Sequence, residues 1–161
     1  PRGKDQKTCL AYLAGYQGDK DLILWDKKEL TKTQLKLFPK AITKLSKTPV
    51  LLWRLIDSFL PDSRDSFLTL MHETAQESDE GFIFIMLARR VSDLIIAKSG
   101  DTTKLQAWTR ARVIAQARNW DESTLLQIHS ELTKHDHALK TGRTKLSYLE
   151  ALDMIITSKL S

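Results

Sequence analysis

The stretch from Gly81 to Lys98, GFIFIMLARRVSDLIIAK, is the longest apolar run in the chain and constrains everything around it. Ile83, Leu87, Val91, Leu94, Ile95 and Lys98 recur at three- and four-residue steps, the spacing of one helix face, and do not alternate as a strand of this length must. The run predicts a central helix from about Glu80 to Lys98. Phe82, Phe84, Ile85 and Met86 add apolar surface on its other sides, which predicts that this end is covered nearly all round. Arg89, Arg90 and Asp93 would each be costly in hydrocarbon and leave the uncharged part too short, so the run is not a membrane span.

From Thr48 onward the pattern is helical throughout. Thr48-Pro49 reads as an N-cap with proline at the first helical position, opening an apolar helix through Leu52, Leu55, Ile56 and Phe59 that Pro61 ends. Asp62 or Ser63 caps a helix carrying Phe67, Leu68, Leu70 and Met71, and QESDE is the loop before the central helix, which stops at Ser99-Gly100. Asp101 to Thr103 supply a cap for a helix with Leu105, Trp108, Ala111, Val113, Ile114 and Ala117 on its apolar positions. Asp121 opens the next, with Leu125, Ile128, Leu132, His135 and Leu139 on one stripe, and Thr141-Gly142 closes it. Thr144 caps the last helix, whose inward residues are Leu146, Leu149, Leu152, Ile156 and Leu160. The expected fold class is mainly α: a compact bundle of about six helices over 48–161.

Residues 1–47 read differently, as a short αβ fragment with one small strand or hairpin. Residues 7–14 suit a short helix or the end of one, and residues 1–6 carry no fold argument. Leu22 to Trp25, LILW, is bounded by turn formers and predicts a short buried strand. A strand needs a ladder partner, either Ala41 to Leu45 or a sheet outside this chain. Lys27 to Phe38 predicts a helix with Leu30, Leu35 and Phe38 inward, ended by Pro39.

The chemistry-bearing residues form no catalytic pattern. His135-Asp136-His137 is not a metal cluster, because residues two apart on a helix point about 200° apart; His72 and His129 are isolated. The scattered glycines fit no phosphate-loop frame, and no nucleophile has a base placed beside it. The reading is therefore of a non-enzyme with no catalytic residues, no cofactor, no metal and no small-molecule substrate. The single cysteine, Cys9, excludes an internal disulfide and fits a reducing compartment, with the cytoplasm as the expected location. Net charge is +5, with Lys and Arg read as spread along the chain among acids, a weak pointer to an acidic partner such as nucleic acid. Arg89, Arg90, Arg110, Arg112 and Arg118 are candidates for a phosphate-binding strip or for ion pairs to a neighbouring subunit. Trp53, Trp108 and Trp120 are candidate core or interface anchors.

From about Trp25 the chain resembles the delta subunit of the bacterial DNA polymerase III clamp loader. FIFIMLARRVSDLIIAK is similar to that family's central LARxxRxLLxxK helix, and LLWRLIDSFL to its Leu-x-Asp-Ala-Leu helix, with Asp57 at the acidic position. RVIAQARNWDESTLLQIHSELTKHDHALKTG is similar to its final section, where the Asp-x-x-x-Lys-x-Gly pattern falls on Asp136, Lys140 and Gly142. LILWDKKELTKTQLKLF is similar to the last strand and helix of the family's ATPase-like module, although Thr31 and Thr33 stand where acidic and arginine residues are common. The resemblance implies that residues 48–161 are a collar domain joining the other clamp-loader subunits in a pentamer, a hetero-oligomer that loads the sliding clamp in DNA replication. It also implies a non-catalytic part of a DNA-directed DNA polymerase holoenzyme, with any DNA contact indirect. A helical nucleic-acid-binding module using a basic face is the alternative.

Overall fold

The computed structural model describes residues 3–25, 29–44 and 50–160, with side chains from residue 8 onward. The chain divides into two units, Pro1–Lys47 and Thr48–Ser161. No strand occurs among the described residues.

The first unit holds α1 (Gly3–Ala14) and the single turn α2 (Lys32–Leu35). Thr31 caps α2 reciprocally: its hydroxyl accepts from the Gln34 amide, and the Gln34 side chain accepts from the Thr31 amide at 2.9 Å. The helix expected over 27–38 is thus reduced to one turn, with Lys27 and Lys28 outside the described residues. Leu35 and Phe38 are only half-buried and Leu37 is exposed, so no packed apolar face offsets the nucleation of a longer helix before Pro39. The expected strand is also absent. Leu22 to Trp25 is irregular and exposed, Ile23 at 95% and Trp25 at 80%. Its proposed partner, residues 41–44, is irregular and exposed as well, and Leu45 lies outside the described residues. Without a ladder partner four apolar residues do not make a strand.

The second unit is helical: α3 (Val50–Asp57), α4 (Arg64–Glu77), α5 (Glu80–Ser99), a 3₁₀ turn (Thr102–Lys104), α6 (Arg110–Ala117), α7 (Glu122–Lys140) and α8 (Tyr148–Lys159). The twenty-residue α5 packs against every other α-helix of the unit. Asp79 caps it, accepting from the Phe82 amide at 3.0 Å, and Gly100 ends it at a φ of 85°, where a side chain would be strained. Ile83, Phe84, Leu87, Val91 and Leu94 are buried, as is the α7 stripe of Leu125, Ile128 and Leu132. No helix among the described residues is long and apolar enough to cross a membrane.

Several boundaries differ from the sequence reading for local reasons. The residues expected to open α3, Thr48 and Pro49, lie outside the described residues, and α3 ends at Asp57 rather than at Pro61, which lets Phe59 turn into the core. The expected helix across Leu105 and Trp108 is interrupted. Leu105 is extended, at φ −76° and ψ 143°, which buries its side chain and leaves Trp108 outside. Thr144 is not the cap of α8; its hydroxyl accepts from the Leu146 amide, while Ser147 and Glu150 form a capping box.

Gly142 closes α7 as expected, at a φ of 68°. The Arg143 amide donates to the Ala138 carbonyl at 2.8 Å and the Gly142 amide to that of Leu139 at 3.1 Å, the paired bonds of a Schellman stop. A β-branched residue in this conformation is strained, so Gly142→Val is expected to destabilise the unit by about 1–3 kcal/mol. Thermal melting checks it, and an unchanged midpoint would count against the stop.

Candidate protein interface

Two arrangements dominate the polar chemistry of the helical unit. The first is a buried network where α3, α5 and α6 meet. Arg90 projects from the inward side of α5, is only 4% exposed, and donates to Gln116 Oε1 at 2.7 Å and to Asp57 Oδ1 at 3.1 Å. Arg112 donates to the other Asp57 oxygen at 3.3 Å. Gln116 Nε2 faces the C-terminal end of α3, donating to the carbonyls of Ile56 and Phe59 at 3.1 and 2.7 Å, and Trp120 Nε1 adds a donor to Phe59 at 3.3 Å. Side chains from α6 and the turn after it therefore satisfy carbonyls that the end of α3 leaves unpaired. Burial pulls the Arg90 guanidinium below its usual range, opposed by the Asp57 carboxylate.

The network redistributes the candidate arginines. Arg90 is enclosed and Arg112 is paired with Asp57. Arg110 donates to the Leu105 carbonyl at 3.1 Å, with its Nε buried and unpartnered. Arg89 and Arg118 are left as exposed members, and Arg89 acts electrostatically on Asp93. Gln116 and the Trp120 indole nitrogen were not singled out by sequence reasoning. The available signal was a polar residue at 116 inside the apolar spacing of Val113, Ala117 and Trp120.

The family-motif positions of the last helices also come together. Asp136 accepts from Lys140 Nζ at 2.7 Å and from the Tyr148 hydroxyl at 3.3 Å, and the Tyr148 ring packs on Phe84 at 4.8 Å between centroids. Hydrogen bonding to Asp136 raises the Lys140 ammonium above its usual range. Asp136 thus joins α7 to the start of α8, while Gly142 sets the turn between them. Among the described residues no group of His, Cys, Asp and Glu is placed to hold a metal.

The second arrangement is an open cleft of about 100 Å³ beside α5, lined by Trp53, Met86, Arg89, Asp93 and Trp108 and abutting the buried network at Ile56 and Arg90. Trp53 and Trp108 meet edge to face, with centroids 5.4 Å apart at 82°. Trp108 is 64% exposed, and its indole nitrogen donates to Gln106 Oε1 at 3.0 Å. Beside the cleft, Phe82 and Ile85 lie one turn before Met86 and Arg89 on α5, and Val50 lies one turn before Trp53 on α3. They are 39%, 59% and 76% exposed. The start of α5 is therefore not covered all round: Ile83 and Phe84 are buried, while Phe82 and Ile85 are exposed. Exposed apolar residues on α5 and α3, with Trp108 and Arg89 at the cleft, have the composition of a protein interface.

Asp93 lines the same cleft and is partly buried. Burial raises its carboxyl pKa, opposed by Arg89 and Arg90. An ionised Asp93 is thus less favourable in the fold than in the unfolded chain, and as pH rises through the raised folded pKa the fold loses stability on its account. Asp93→Asn removes that titration. The variant is expected to be at least as stable as the parent at neutral pH, and its advantage in urea midpoint over the parent is expected to grow as pH rises from about 4 to 7. An advantage that shrinks over that range would contradict the assignment.

Comparison with family models, curated proteins and solved structures returns no match.

Proposed function

We propose that this chain is a delta-like subunit of the bacterial DNA polymerase III clamp loader, and that residues 48–161 hold it in the pentamer as a collar domain. The observation that carries the reading is the open outer side of α5. Trp108 is exposed beside Trp53 and Met86, and Ile85, Phe82 and Val50 are exposed on α5 and α3, although α5 packs against every other α-helix of its unit. An exposed tryptophan such as Trp108, packed on a partly buried one and beside an arginine, is a usual anchor of protein contacts. The sequence resemblance supplies the identity of the partners: the cognate ATPase subunits of the loader, in the cytoplasm. In this reading ATP hydrolysis belongs to those subunits and DNA contact by the helical unit is indirect.

The alternative, a nucleic-acid module working through its arginines, is less well supported. Arg90 and Arg112 are occupied by Asp57. Residues 48–161 carry 14 Lys and Arg against 15 Asp and Glu, so this unit has no excess of positive charge. Mixing the purified chain with the cognate ATPase subunits and measuring mass by light scattering tests the proposal. A specific contact buries on the order of 1,000 Å² or more, so association at micromolar concentration is expected. No added mass under those conditions refutes it.

A further inference from the structure

The positive charge of this chain is concentrated in its first unit, not spread along it. Residues 1–47 carry 11 Lys and Arg against 5 Asp and Glu, a net +6 that exceeds the +5 of the whole chain. Within that excess lies a regular row. No Asp or Glu occurs from Leu30 to Ile56, whereas Lys32, Lys36, Lys40 and Lys44 recur at a constant four-residue step. All four are exposed, and none is ion-paired among the described residues. A run of exposed like charges without counter-charges raises the local positive potential and attracts polyanions.

We propose that Lys32, Lys36, Lys40 and Lys44 form a binding site for the phosphodiester backbone of nucleic acid. Four residues span about 6 Å in a helical turn and at most about 14 Å extended, so long lysine side chains on this backbone reach phosphates along one strand. Lysine is a point charge without the fixed fork of arginine, which suits sequence-independent contact with phosphate rather than reading of bases. An anionic membrane is the weaker fit. Interfacial binding calls for an amphipathic helix with a continuous apolar face, whereas this segment has one helical turn, a proline at 39 and irregular chain at 41–44. Leu35 and Phe38 are half-buried, and the exposed Leu37 and Ile42 lie on either side of Pro39, Ile42 in irregular chain, so they share no helix face. The site is separate from the arginines of the helical unit, and the inference does not depend on the assembly proposal.

The test uses the whole chain and fluorescein-labelled oligonucleotides of mixed sequence, single-stranded and duplex, with anisotropy read across a salt series. Four phosphate contacts predict a slope of log K against log salt of about −3.6 on duplex and about −2.8 on single strands, and on duplex about a 150-fold loss of affinity between 50 and 200 mM salt. The quadruple variant Lys32→Gln, Lys36→Gln, Lys40→Gln, Lys44→Gln is expected to flatten the slope by these amounts while the melting of the helical unit is unchanged. Lysine acylation followed by mass spectrometry gives a readout free of any variant: bound oligonucleotide should protect the four lysines and not Lys134 or Lys145. No binding by the parent chain at 50 mM salt, a slope that survives the four substitutions, or equal acylation with and without oligonucleotide would overturn the proposal. So would tighter binding to phosphatidylserine vesicles than to oligonucleotide, lost in the same variant.

Discussion

Gln116→Leu is expected to destabilise the helical unit by about 3 kcal/mol, although the two side chains have similar volume. Gln116 is nearly enclosed and makes three hydrogen bonds, accepting from Arg90 and donating to the Ile56 and Phe59 carbonyls. Leucine fills the space and leaves those partners short. The Phe59 carbonyl keeps the Trp120 donor and Arg90 keeps Asp57, which limits the loss. The Ile56 carbonyl loses its side-chain donor. Buried groups left unsatisfied cost about 1–3 kcal/mol each, and the sum here corresponds to a midpoint lower by about 10 °C. The coupling is diagnostic. Asp57→Asn should cost more in the Gln116→Leu background than alone, because Arg90 then loses both the Gln116 acceptor and its one counter-charge. Urea unfolding followed by circular dichroism measures both, and a loss below about 1 kcal/mol for Gln116→Leu would show that the network is not load-sharing.

Trp108→Ala is expected to behave in the opposite way, weakening assembly while sparing the fold. The side chain is 64% exposed and touches the rest of the unit mainly through Trp53 and Gln106, so its removal should shift stability by less than about 1 kcal/mol. At a partner contact it is the largest apolar group on offer. Central tryptophans carry about 2–4 kcal/mol on truncation, or about a 30- to 1,000-fold rise in Kd for the ATPase subunits. Fluorescence titration against those subunits reads the change. An unaltered Kd would move the contact elsewhere on the unit.

The parts of the molecule legible in the sequence are those in which one local rule acts alone. The periodicity of α5 predicts its bounds because no competing pattern interrupts it, and Asp121 and Gly142 mark α7 because each end is set by backbone chemistry at one residue. Leu22 to Trp25 misleads because strand formation depends on a partner, which an apolar run does not specify. The uniform apolarity at the start of α5 predicts burial on all sides. Phe82 and Ile85 are exposed because hydrophobic pattern does not distinguish a face for the core from a face for another molecule. The arginines show the same limit. Arg89 and Arg90 are adjacent in sequence, yet the helical step of about 100° turns one to solvent and the other into the network with Asp57 and Gln116.

In the proposed assembly the exposed side of α5 and the tryptophans beside it meet the ATPase subunits of the loader. Hydrogen exchange of the chain, alone and mixed with those subunits, tests this contact. Stronger amide protection is predicted in the mixture over residues 50–56, 82–93 and 105–110, which carry Val50, Trp53, Phe82, Ile85, Arg89 and Trp108. A complex that forms with exchange unchanged over those three segments would contradict it.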